Sequence, residues 1–325
     1  MLVTGCRAPI TSAAIERELP PVVRPDVEVT ALTDLLVSVG LEWFVAIRPL
    51  ELTQLDWLRP SIARVLKDER LDALALATGV QLRDVPELVL ASYRIKSDDS
   101  AIAYVLRHHA NPQLLERKFR ERLTSDGERR EFGHQLLGVW GRVGRALRGF
   151  VAIGPHVVSY QYGGERAHGP NRIALLYAEG RLAEVPPVSR NEVLARVDGA
   201  LGAAPIKAFL LGPFEGPRAR GAHGLLASAT AVGISLQPSD EKTLRVHIVL
   251  DGDYAGEDAS RYLEDAWSDL ATSDLGHLLG LGSPSSPIRI QAAADRLDLE
   301  VELDAAALTN GLAAATSDDV RDIMR

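Results

Sequence analysis

Residues 299–304 read Leu-Glu-Val-Glu-Leu-Asp, apolar at 299, 301 and 303 and acidic between them. A period of two is the pattern of a strand with one buried and one wet face. Comparable apolar runs predict strands over residues 43–50, 87–94, 101–108, 149–153, 157–162, 206–214, 231–237, 243–250, 288–292 and 297–303. Polar or glycine-proline turns at 96–100, 154–155, 238–241 and 295–296 join neighbouring runs into hairpins. Between them the period lengthens to that of a helix. Pro60 opens a helix over 60–78, with Ile62, Leu66 and Leu74 on its stripe and Gly79 as its stop. Asn111 and Pro112 cap and start another through Leu123, with Leu114, Leu115 and Phe119 on one face. Further helices are predicted at 173–182, 225–230, 256–270 and 305–314.

The order of elements recurs. From the strand at 87 onward, corresponding segments of the second half begin 142–145 residues later, and the last helices are 132 apart. GHQLLG at Gly133 and GHLLGLG at Gly276 are separated by 143 residues. The pattern predicts an α+β fold of two tandem related modules, each a mainly antiparallel sheet covered by helices. The modules span 31–183 and 190–325, join at the AEVPPVS stretch of 183–189, and follow a segment of residues 1–30. A single sheet running through both modules is the competing arrangement.

Composition narrows the class. At 325 residues, 46% of them apolar, the chain can bury one large core or two ordinary ones. A net charge of -8 argues against nucleic acid as a partner. Only five of the 36 basic residues are lysines, a skew expected of a GC-rich genome. No apolar run of about 18 residues is present to cross a bilayer as a helix. One cysteine permits no internal disulfide.

That cysteine is Cys6, in the opening MLVTGC. Val3-Thr4-Gly5-Cys6 resembles the lipobox of bacterial lipoproteins: an aliphatic residue three before the cysteine, a β-branched one, then glycine. The resemblance implies diacylglycerol on the Cys6 sulfur, cleavage after Gly5 and acylation of the new amino group. Each buried methylene contributes about 0.8 kcal/mol, and two or more chains anchor stably. Arg7, in place of aspartate, implies the outer membrane or cell surface, with membrane contact through the anchor. Only five residues precede Cys6, fewer than a signal peptide needs, so either the natural start lies farther upstream, the sequence is trimmed, or the match is accidental. The alternative is a free thiol on a cytoplasmic protein. Pro9, Pro20, Pro21 and Pro25 make the following stretch read as an extended spacer. The body is similar to uncharacterised, duplicated lipoproteins of GC-rich Gram-negative bacteria, chiefly in TLRVHIVLDGDYAGEDASRYLEDAWSDLA from Thr243. That likeness implies no activity.

Two internal stretches could carry chemistry. Asp251, Asp253, Glu257 and Asp258 alternate with glycine as in calcium loops, since hard cations take several oxygens. The spacing lacks the EF-hand pattern, and acids before a helix also suit its dipole. Gly163 to Arg172 is glycine-rich and offers Arg166, His168 and Arg172 to a ligand; a plain connector has the same composition. The His108-His109 pair sits at a strand end, where neighbours point to opposite faces. No GxSxG, HExxH or GxxxxGK[ST] occurs, so no catalytic residue is assigned. The expected function is a non-enzymatic, lipid-tethered envelope protein that binds an envelope protein or small molecule, or is structural. The alternative is a metal-dependent or hydrolytic enzyme using the 251–258 or 163–172 loop.

Overall fold

In the computed structural model the alternating segments pair into one antiparallel sheet of twelve strands. The structure describes residues 29–315 except 97–98, 133–134, 165–166, 179–185 and 255–257. The strands are β1 (Leu41–Ile47), β2 (Leu88–Lys96), β3 (Asp99–Arg107), β4 (Glu128–Phe132), β5 (Leu136–Val143) and β6 (Ala146–Ile153). They continue with β7 (Val157–Tyr162), β8 (Ile206–Leu211), β9 (Ala229–Pro238), β10 (Thr243–Gly252), β11 (Arg289–Ala293) and β12 (Arg296–Asp304). The helices are α1 (Pro49–Thr53), α2 (Arg59–Val65), α3 (Asp68–Thr78), α4 (Pro112–Glu121) and α5 (Gly169–Ala178). After them come α6 (Glu192–Leu201), α7 (Leu225–Ser228), α8 (Ala259–Thr272), α9 (Asp274–Leu279) and α10 (Ala305–Ala315).

The strand order is β11-β12-β10-β9-β8-β1-β2-β3-β7-β6-β5-β4. The two halves meet where β1 pairs with β8, Phe44 opposite Phe209 and Val45 opposite Ala208. The sheet expected for each half is therefore one continuous sheet. An open edge on β1 and β8 would leave a row of backbone donors and acceptors unpaired, and joining them satisfies both.

Side chains alternate across the sheet, so each strand feeds two cores. One face gathers Phe44, Val89, Ala91, Tyr93, Phe209, Ala231 and Val249 beneath α5, α6 and the short turns Leu32–Leu35 and Val188–Arg190. The opposite face is divided. Over the first half, Leu115 and Phe119 of α4 cover Phe150 and Tyr160, with the Phe119 and Phe150 rings 5.4 Å apart. Over the second half, Leu263 and Trp267 of α8 and Leu308 of α10 cover Leu297, Leu299, Val301 and Leu303.

All four predicted hairpins form, as β2–β3, β6–β7, β9–β10 and β11–β12. The helix expected over 60–78 is two helices. Leu66 leaves helical geometry at φ -114°, ψ 86°, α3 restarts at Asp68, and Gly79 ends it in the left-handed region at φ 83°. The strand expected over 43–50 ends at Ile47, and α1, started by Pro49, takes its last two residues; α9, β4, β5 and α6 are likewise not predicted. β4 holds Glu128, Arg129, Arg130 and Glu131, with no apolar alternation. β5 is interrupted by Gly138 and Gly141, and the Trp140 ring lies where a β-carbon on Gly138 would stand. α6 starts at Asn191, whose side chain accepts from the Val193 and Leu194 amides at 3.0 and 3.2 Å.

Candidate functional site

The seam of the sheet makes an apolar cleft with polar groups at its mouth. Phe44 and Phe209, cross-strand partners on β1 and β8, stack with centroids 4.6 Å apart and planes 16° from parallel. Offset aromatic pairs of this kind add about 0.5–1.5 kcal/mol beyond their burial. α6 lies across the same face because Leu194, Val197 and Leu201 recur on one stripe and are buried. Val197 and Leu201 sit against Gly233 of β9, where any β-carbon would collide with them. The helix thus stands close to the sheet, and a cleft of about 430 Å³ remains between it, β1, β8 and the two short turns.

Charges ring that cleft. Lys207 donates to Asp198 at 2.7 Å, joining β8 to α6. Arg48 donates to the Ala204 carbonyl at 2.6 Å and pairs with Glu51 at 2.9 Å. Glu87 pairs with Arg107 at 3.3 Å, and Thr33 and Ser189 add hydroxyls. A β-carbon on Gly199 of α6 would meet nothing within 4 Å, so that wall is open. An apolar floor with a few polar groups at the rim is the usual make-up of a small-molecule site. The cleft is assembled from four separate stretches of chain, and no motif in the sequence marked it.

The residues singled out from sequence lie elsewhere. Asp251 ends β10 and is buried, with both carboxylate oxygens held by Arg196 of α6 at 2.9 and 3.0 Å. The Thr230 hydroxyl also donates to Asp251, at 2.5 Å. Asp253 is exposed, and Asp258 pairs with Arg261 at 3.0 Å in the first turn of α8. Glu257 lies outside the described residues. Among the described residues no three of His, Cys, Asp and Glu come together as a metal-ligand group.

The loop expected over 163–172 ends at His168, because α5 begins at Gly169; His168 turns inward with its ring 5.9 Å from that of Tyr93, while Arg172 is exposed on α5. Arg166 and Cys6 lie outside the described residues. Gln161, buried on β7, fastens the loop. Its amide donates to the Gly163 carbonyl at 3.2 Å, and its oxygen accepts from the His168 amide at 2.9 Å and the Asn171 side chain at 3.0 Å. Ser159 and Gln161 alternate on one face of VVSYQY, a polar face in an otherwise apolar strand that could have flagged the clamp.

His108 is buried and its Nδ1 lies 3.1 Å from the Ala110 carbonyl; His109 is exposed, as neighbours at a strand end should be. Burial above all, and the neighbouring His156 and His109, push the His108 imidazole below its ordinary value against the bond to Ala110. No helix among the described residues is long and apolar enough to cross a membrane.

No family model, curated protein or solved structure matches the chain.

Proposed function

We propose that this protein is a lipid-tethered envelope protein with a non-enzymatic body of two related modules, and that the cleft at their seam binds a small amphiphilic ligand. The single observation that carries the binding role is the Phe44–Phe209 floor with Lys207 and Arg48 at the rim. The lipobox-like Val3-Thr4-Gly5-Cys6 supports the tether.

Strand order supports the duplication. Reading outward from the seam, β1-β2-β3-β7-β6 has its counterpart in β8-β9-β10-β12-β11. The pair Leu88–Leu106 recurs as Val232–Leu250, 144 residues later in both strands. Antiparallel pairing of β1 with β8 then relates the modules by a pseudo-twofold through Val45 and Ala208. A cleft on such an axis belongs to both modules at once.

Two measurements test the parts separately. Labelling with an alkyne fatty acid in a Gram-negative host, from a gene that includes its upstream reading frame, should mark the wild type and spare Cys6→Ser. Equal labelling removes the tether. Anilinonaphthalene sulfonate should gain fluorescence with the wild type, and Gly199→Leu, which should fill the cleft without backbone strain, should abolish that gain. An unchanged dye titration removes the cleft as a binding site.

A further inference from the structure

The stretch 112–148 holds nine basic and five acidic residues inside a chain of net charge -8. Its acids are mostly committed. Glu116 pairs with Arg129 and Arg120, Glu131 with Arg129, Glu128 with Arg130, and Glu121 with Lys118. Arg117, Arg122, Arg142, Arg145 and Arg148 have no carboxylate partner among the described residues, and of these only Arg122 and Arg148 are drawn in from the surface. Both are half-buried, and both converge on Tyr162. Arg122, which caps α4, donates from Nη2 to the Tyr162 hydroxyl at 3.2 Å. Arg148 of β6 stands over the Tyr162 ring, its Cζ 4.8 Å from the centroid. Tyr104 braces that ring edge-on at 5.4 Å and 82°.

We infer that Arg122, Arg148 and Tyr162 form a binding site for a phosphate-type oxyanion. Two cations held on one aromatic ring repel each other and lose hydration together, an arrangement that costs free energy until an anion offsets it. Burial in the main, and the charge of Arg122, push the Arg148 guanidinium below its ordinary value against a smaller upward pull from Tyr162. The donor geometry selects the ligand class. Arg148 donates from Nη1 to the Leu147 carbonyl at 3.2 Å, which leaves its Nε and Nη2 edge as a planar fork for two oxygens, pre-oriented by stacking on Tyr162, while Arg122 keeps Nε and Nη1 beside the donor it gives to Tyr162. The Tyr162 oxygen accepts from Arg122, which leaves its own O–H to donate outward. One fork, the remaining donors of Arg122 and a hydroxyl suit a multivalent anion with oxygens in several directions; a carboxylate fills the fork alone. Free phosphate and a phospholipid headgroup share this chemistry.

Thermal melts of the full chain distinguish the outcomes. Sodium phosphate, against sodium chloride of equal ionic strength, should raise the wild-type melting temperature saturably, since a ligand that binds only the folded state stabilises it by mass action. The rise should vanish in the double variant Arg122→Gln/Arg148→Gln and persist in Arg117→Gln, on the exposed side of α4. Flotation with phosphatidylglycerol vesicles, against phosphatidylcholine vesicles, forms the second arm. Retention lost in the double variant, without a response to free phosphate, names a lipid headgroup as the source. If circular dichroism shows the double variant unfolded, Arg148→Lys keeps the charge, removes the fork and should weaken binding at least severalfold. A wild type indifferent to both probes, or a response that survives the variants, overturns the site.

Discussion

Arg196 grips Asp251 through both carboxylate oxygens, at 2.9 and 3.0 Å, and so ties α6 to the end of β10. The helix reaches this point only because Gly233 lets Val197 and Leu201 lie against the sheet. Bidentate, charge-assisted bonds fix orientation as well as distance. Asp251 is buried, so removing its partner strands a carboxylate that has lost its water. Arg196→Gln should lower the melting temperature and shift α6 resonances, and Arg196→Lys should recover only part of the loss. Millimolar calcium should leave the wild-type melt unchanged, because Arg196 and Thr230 already occupy the Asp251 oxygens; a saturable rise with calcium would support the 251–258 stretch as a metal site.

The stacked pair at the seam should dominate the junction between halves. Phe209→Ala should cost about 3–5 kcal/mol in chemical denaturation, as large-to-small changes in a packed core do. Phe44→Ala should behave alike, and the double-mutant cycle should show a coupling of about 0.5–1.5 kcal/mol. Additive losses would mean that the two rings contribute independently.

Gln161 links β7 by two hydrogen bonds to the loop that follows it and by a third to Asn171 of α5. Gln161→Ala leaves buried partners unsatisfied and should cost about 1–3 kcal/mol. Amide exchange at His168 should accelerate more than exchange in the β9–β10 hairpin. Uniform acceleration would contradict a local clamp.

His108 sets an acid limit. Its folded value lies below the ordinary 6.5, so the unfolded chain binds more protons there. Stability is then full above the ordinary value and falls as the pH drops below it. His108→Gln should flatten the decline in melting temperature between pH 7.5 and 5.5. An unchanged slope would assign the decline to other groups.

The legible parts of the fold were those with strong local patterns. β12 announces itself through Leu299, Val301 and Leu303, and α4 through Asn111, Pro112 and its Leu115–Phe119 stripe. β4 escaped because it is an edge strand with four charged residues in a row, β5 because Gly138 and Gly141 break its apolar alternation, and α6 because Asn191 and its Leu194–Val197–Leu201 stripe adjoin a proline-rich joint. Asp251 drew notice as an acid among acids. Its partner Arg196 lies 55 residues away in sequence, beyond any spacing rule.

By itself, the sequence determined where the backbone alternates and where it coils, because burial of one face imposes a period on neighbouring residues. It also determined four of the hairpins, whose turns are written in adjacent residues, but not β4–β5 or β5–β6. Whether β1 and β8 would meet was decided only in three dimensions: strand edges present the same backbone groups everywhere, and a choice of partner depends on which side chains the surrounding helices can cover. The same holds for the cleft and for the arginines at Tyr162, each built from groups that only the folded chain brings together.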